Sequence, residues 1–394
     1  MRAWTILLVL MLVACADRSV PVDSDPRAVK EAAALSYSSQ KADFQVQELV
    51  TGLRHPWGLA FLPDGSMLVT EREGRLRRIG ADGAVSAPID GLPPVFVDGQ
   101  AGLLDVAVSP GFASDGMVYV SFAQANLRGN LAGTAVARGR LKGNALEGVA
   151  VIYSQEPKLS SGTHVGSRLA FDQAGNLYVT QGDNRVAAAA AQELDKLTGK
   201  LVRVHTDGKV PADNPFRNRD GARPEIWSYG HRNMQGAAIN PVSGELWTTE
   251  HGPQGGDELN IPRAGLNYGW PVITHGIDYN GQPVAGSLGT TAPGMEQPVH
   301  YWKVSPGLSG MAFYTGDAFP HWQGNLFLGA LATRELLRLE LDGDKVVNEE
   351  RLLGERRQRI RDVRQGPDGA LYLLVDDADG KLLRLSPSSR QARN

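Results

Sequence analysis

His164 and Asp183 are of the types needed for a base and the group that orients it: a neutral imidazole takes a proton near neutral pH, and a carboxylate fixes its tautomer. The segments SSGTHVGSRLAF (160–171) and QGDN (181–184) put the two one expected strand apart. A turn histidine bonded to backbone and an aspartate closing an Asx turn are the structural alternatives. Glu250, Asp257 and Glu258, with backbone carbonyls nearby in TEHGPQGGDELN (249–260), suit a hard, oxygen-seeking cation, calcium above all; acidic surface loops without metal have the same composition. Arg359 and Arg361 flank Ile360 in an expected strand, so both guanidiniums share one face and suit a polycarboxylate. Neighbouring Arg356 and Arg357 leave a solvated basic strand open. Other chemistries lack their residues. No G-x-S-x-G elbow occurs, and no G-x-G-x-x-G follows a strand to open a helix. Cys15 is the sole cysteine, so neither a C-x-x-C-H haem site nor a thiolate metal site exists.

These residues fall at the ends of a recurring pattern. A turn with Pro, Asp, Asn or Gly, then a glycine, then alternating apolar residues appears in LPDGSMLVTE (62–71), ASDGMVYVSFA (113–123) and DQAGNLYVTQGD (172–183). It returns in PVSGELWTTEHG (241–252), HWQGNLFLGAL (321–331) and GPDGALYLLVDD (366–377). The turn glycines Gly65, Gly116, Gly175, Gly244, Gly324 and Gly369 are 51, 59, 69, 80 and 45 residues apart. Each suits a positive φ, and each following run has the period of a half-buried strand. Second strands follow in GRLRRI (74–79), GKLVRV (199–204) and GKLLRL (380–385). A four-stranded blade needs about 40 to 50 residues, so the pattern predicts an all-β, six-bladed β-propeller, with a pair of β-sandwiches as the alternative. The excess in the third and fourth intervals, after Gly175 and Gly244, predicts loops gathered over one end of the channel. Residues 187–198, AAAAAQELDKLT, are predicted to be helical.

With 42% hydrophobic and 21% charged residues, the chain has the composition of an ordinary globular protein. A net charge of -3 supplies no basic field for nucleic acid. Arg2 and the apolar run Ala3–Ala14 form a signal peptide too short to span a bilayer. Leu12-Val13-Ala14-Cys15 is similar to the bacterial lipobox, predicting a lipid-anchored protein on the periplasmic side of a membrane; an ordinary secretory signal with an incidental cysteine predicts a soluble periplasmic one. Residues 1–15 are thus assigned to the signal, 16–42 to a flexible tether and 43–390 to the propeller.

The ordered set GQAGLL, THVGSRL, GD, GHRN, HGPQGGDE, NYGWP and RIRDV, over about residues 43–386, resembles the soluble pyrroloquinoline quinone (PQQ) glucose and aldose sugar dehydrogenases. The resemblance implies that His164 takes the sugar hydroxyl proton, that Asp183 orients it, and that Arg232 and Asn233 contact the quinone, with Arg232 near its reactive carbonyl. It makes Gln100, Arg359 and Arg361 cofactor contacts, with Tyr279 a stacking aromatic. The carbonyls of Gly252 and Pro253 would hold a calcium bridging to PQQ, and Glu258 with the Tyr268 carbonyl a second calcium. Ala332 stands near the position where the glucose branch carries a lysine, which places the chain closer to the aldose branch. The implied reaction is oxidation of an aldose at C1 to a lactone, with hydride passing to the quinone and electrons then to an external acceptor, a cytochrome or a quinone. Two rivals keep the fold. A calcium-dependent propeller lactonase would not need the R-x-R pair, and a non-catalytic propeller binding sugar or protein would not need His164.

Overall fold

All six turn glycines adopt left-handed backbone, with φ from 61° at Gly116 to 82° at Gly65. Each closes the hairpin between the first two strands of a blade, as in the pairings Phe61↔Met67, Phe171↔Leu177 and Gln365↔Leu371. The computed structural model describes residues 34–388; the signal segment 1–15 and residues 16–33 of the tether lie outside the described residues. The strands form six antiparallel sheets. Their innermost strands are Pro56–Phe61, Leu103–Val108, Leu169–Phe171, Met234–Ile239, Leu308–Phe313 and Ile360–Gln365. Each packs on the next and the sixth on the first, which closes a six-bladed β-propeller. Asp43–Leu53 pairs with Gly380–Pro387 in the sixth blade, so the two ends of the propeller are joined in one sheet.

Two boundaries differ from the sequence expectation. The tether does not reach residue 42: Leu35–Ser38 is a strand on Asp43–Leu53, with Tyr37 stacked on Phe44 at 5.7 Å. The helix over 187–198 is reduced to a single 3-10 turn, Ala188–Gln192. The buried Lys200 ammonium donates to the carbonyls of Ala190, Ala191 and Thr198, and Gly230 N–H also donates to Ala191. Carbonyls that an α-helix would use internally are therefore taken by tertiary partners, which outweigh the alanines' propensity.

Most of the apolar clusters sit between neighbouring blades. Trp322, Phe327 and Leu336 of the fifth meet Phe44, Leu373 and Leu385 of the sixth, and Leu68 and Leu76 of the first meet Val118 and Phe122 of the second. The channel itself is plugged by charge. Arg168, 1% exposed, lies 3.0 Å from both Asp105 and Asp362, and Arg364 contacts the same two carboxylates at 3.2 and 3.0 Å. These carboxylates also accept the backbone N–H groups of Leu169 and Leu59, so the cluster ties the innermost strands of the first, second, third and sixth blades together.

Candidate active site

In an antiparallel blade, the residue entering the first strand and the residue leaving the second lie at the same end. The propeller applies this six times. Trp57, Gln100, His164, Arg232, Gly307 and Arg359 stand at or just before innermost strands, while Arg72, His251, Leu331 and Asp376 follow second strands. All ten line one cleft of about 340 Å³ at the channel mouth.

His164 is held in the wall by its backbone as much as by its ring. It has a φ of 48°, its N–H donates to Gln100 Oε1 at 2.9 Å, and its carbonyl packs so closely on Gly182 that a Cβ there would stand 1.9 Å away. Its Nδ1 is 2.7 Å from Asp183 Oδ1, which leaves Nε2 for substrate. Asp183 is 1% exposed and lies behind the ring, outside the lining. Burial lowers the His164 pKa below the usual histidine value; Asp183 opposes this, and Arg232 and Arg185 reinforce it. The shift favours the neutral imidazole, the form a general base requires.

The arginines behave unequally. Arg361 donates to Gln235 Oε1 at 3.0 Å and to Asp376 Oδ2 at 2.7 Å, so it is already engaged. Burial works against ionising Asp376, but Arg361 and the His55 ring at 2.9 Å outweigh it and hold the carboxyl well below its usual range. Arg359 is the freer of the two, bonded to the Leu331 carbonyl and 3.5 Å from Asp376. Arg232 Nη1 donates to the carbonyls of His251 and Gly252 at 3.0 and 2.6 Å, and Nη2 reaches Tyr279 Oη at 3.4 Å. Tyr279 is 57% exposed at the rim. The Nε atoms of Arg232 and Arg361 are buried without a hydrogen-bond partner, although both residues line the cleft. With Arg72 and Arg359 also present, the lining suits a ligand carrying several carboxylates.

Asn233 is placed differently. It does not line the cleft; its Oδ1 accepts from Gly166 N–H and Gln235 Nε2, bracing the His164 loop from behind. Asp257 reaches the cleft lining, but its two oxygens are taken by backbone N–H groups of Gly252, Gly307 and Leu308. Glu250 bonds His231, Asn260 and Arg232 N–H. Ser228 and His231 are 2.8 Å apart, which gives a Ser–His–Glu order, but both are fully buried and away from the cleft, so no nucleophile is presented.

Glu258 alone among the three acids is under-bonded, accepting from Asn260 through Oε2. Burial and the neighbouring Glu250 push its pKa up to about 8. It lines a cavity of about 10 Å³ with Glu250, Gly256 and Tyr268, enough for one ion or water. The Tyr268 hydroxyl is committed to Ile261 and Arg263, leaving the backbone as the donor. That set fits a hard cation. The Gly252 carbonyl of the other expected calcium site already accepts from Arg232, which leaves its second lone pair for a cation. Among the described residues no three His, Cys, Asp or Glu side chains converge on a metal position, so either site would need backbone oxygens beside any carboxylate.

Sequence reasoning missed Trp57, Arg72 and Asp376 in the lining. Asp376 had a signal: it is an acid at the close of the second strand of the sixth echo, as Asp183 follows that of the third and Glu250 closes that of the fourth. Residues 53–384 match the family described as Glucose / Sorbosone dehydrogenase. The chain belongs to that family. Within it, the chain is 50% identical over 349 residues to the aldose sugar dehydrogenase YliI of Escherichia coli K12, covering 88% of this chain and 94% of the relative. The crystal structure of the apo-form of the soluble aldose sugar dehydrogenase from Escherichia coli superposes with a TM-score of 0.85 at 50% identity, covering 88% of this chain and 100% of that one. A PQQ-bound aldose sugar dehydrogenase from Streptomyces coelicolor superposes with a TM-score of 0.71 at 29% identity, covering 88% and 99%. The glucose/sorbosone dehydrogenase likeness thus spans the whole ring.

Proposed function

We propose that this protein, an oxidoreductase acting on sugars, oxidises aldoses at C1 to lactones with PQQ and calcium held at the cleft. The observation that carries the reading is the His164–Asp183 pair in the wall of a cleft whose arginines keep two buried N–H donors unpartnered. Arg359, Arg361, Gln100 and Tyr279 would hold the cofactor, with Gly252 and Pro253 offering carbonyls to one calcium and Glu258 and Tyr268 oxygens to another. When bound, PQQ would supply an electrophilic quinone carbonyl as the hydride acceptor and calcium would supply Lewis-acid polarisation. His164 Nε2 takes the proton of the C1 hydroxyl, Asp183 stabilises the resulting imidazolium, and Arg232 sets a guanidinium against developing negative charge. Electrons leave to a separate acceptor, a cytochrome or a quinone.

Titrating PQQ into the cofactor-free protein tests this reading. Saturable binding is expected, and Arg359→Ala should weaken it by on the order of 1.5 to 3 kcal/mol, the usual worth of a charge-assisted contact. Equal affinity in the variant would return Arg359 to a solvated face. A lactonase gains nothing from the arginine pair.

The membrane anchor rests on the sequence alone. No helix among the described residues is long and apolar enough to cross a membrane. With residues 1–14 processed away, lipid on Cys15 is left to hold the chain, so Cys15→Ser should release active protein from the membrane fraction. Wild-type protein found wholly in the soluble periplasmic fraction, with no acyl mass on its N-terminal peptide, would contradict the anchor.

A further inference from the structure

Trp270 lies in the long loop between the third and fourth strands of the fourth blade and is 9% exposed. Nε1–H donates to Asp183 Oδ2 at 2.8 Å. The other oxygen, Oδ1, carries His164 Nδ1 and the Arg185 N–H, each at 2.7 Å. The face of the same indole lies 5.1 Å from the Arg232 guanidinium. Trp270 is itself anchored at both backbone groups: its N–H donates to the Gly230 carbonyl at 2.9 Å and its carbonyl accepts from Gln192 Nε2 at 2.7 Å.

We propose that Trp270 is a positioning residue for the base. Its edge fixes the carboxylate that orients His164, and its face carries the arginine that works beside it. The inference rests on the reading of His164 as the base. A carboxylate bonded through one oxygen only can turn about its Cβ–Cγ bond, whereas one bonded through both presents Oδ1 to Nδ1 in a single orientation. The indole N–H also shares the negative charge of Asp183. The charged and polar groups facing the His164–Asp183 pair are Arg232, Arg185, the Gln100 amide and Trp270 itself. Without the indole donor, more of the Asp183 charge falls on His164 and stabilises its imidazolium. The neutral base is then lost at a higher pH.

Trp270→Phe keeps an aromatic face for Arg232 and deletes the N–H. Two readouts are needed: kcat and KM of the PQQ-loaded enzyme across pH, and the His164 imidazole titration by NMR in the cofactor-free protein. The expected result is a ~10- to 100-fold lower kcat, the usual effect of losing an outer-shell partner, with KM little changed. The acid limb of kcat and the His164 titration should move together to higher pH. Wild-type kcat, or a lower kcat with the limb and titration unmoved, would overturn the proposal. If the wild type reduces no dye with any aldose, the parent reading falls while the NMR titration still decides this one. Benzothienylalanine at position 270, with sulfur in place of N–H at equal ring size, gives the same comparison if the phenylalanine variant does not fold.

Discussion

Replacing His164 with glutamine is expected to lower kcat on aldoses by roughly two to four orders of magnitude, the usual worth of a positioned general base. Glutamine is of similar size and leaves the backbone N–H on Gln100, so the loop geometry is preserved and PQQ affinity should hold. What disappears is the basic nitrogen on Asp183. The pH profile gives a second check. His164 acts when neutral, so activity falls as pH drops through its pKa, which burial places below the ordinary value of about 6.5. The variant should lose that acid limb along with its rate. Unchanged turnover would remove His164 from the mechanism.

Arg168→Met should destabilise the fold by about 3 to 5 kcal/mol, the range for breaking a buried ion pair by removing one partner. The methionine leaves Asp105 and Asp362 facing each other with Arg364 as their remaining cation. The damage would extend to the cleft, because Arg168 packs 4.2 Å from the Trp57 ring centroid and donates to the Gln235 carbonyl. A denaturant midpoint series measures it. A loss below about 1 kcal/mol, the level of a surface pair, would show that the channel cluster is not needed to join the blades.

The echoes made the ring legible because a turn glycine followed by period-two apolar residues is a local signal repeated six times. They also made the site legible in outline: antiparallel pairing turns the end of each echo's strand toward the mouth, so QGD, TTE and VDD lie in or close behind its wall. What stayed hidden depends on partners distant in sequence. Alternation places Arg359 and Arg361 on one face, and both line the cleft, but only the fold shows Asp376 and Gln235 already holding Arg361. GHRN says nothing of Asn233 turning inward to Gly166. The alanine run has helical propensity, and no local feature shows that Lys200 will claim its carbonyls. Leu35–Ser38 is too short a run to stand out from a tether until Phe44 provides a ring for Tyr37.

The central claim is that this cleft holds PQQ with calcium and oxidises aldoses at C1. Reconstitution of the purified apoprotein tests it most directly, with PQQ alone, calcium alone, both, and both plus chelator, following aldose-dependent dye reduction and lactone formation. Activity is expected only with PQQ and calcium together. Full activity with PQQ in excess chelator, or no aldose oxidation under any condition, would contradict it.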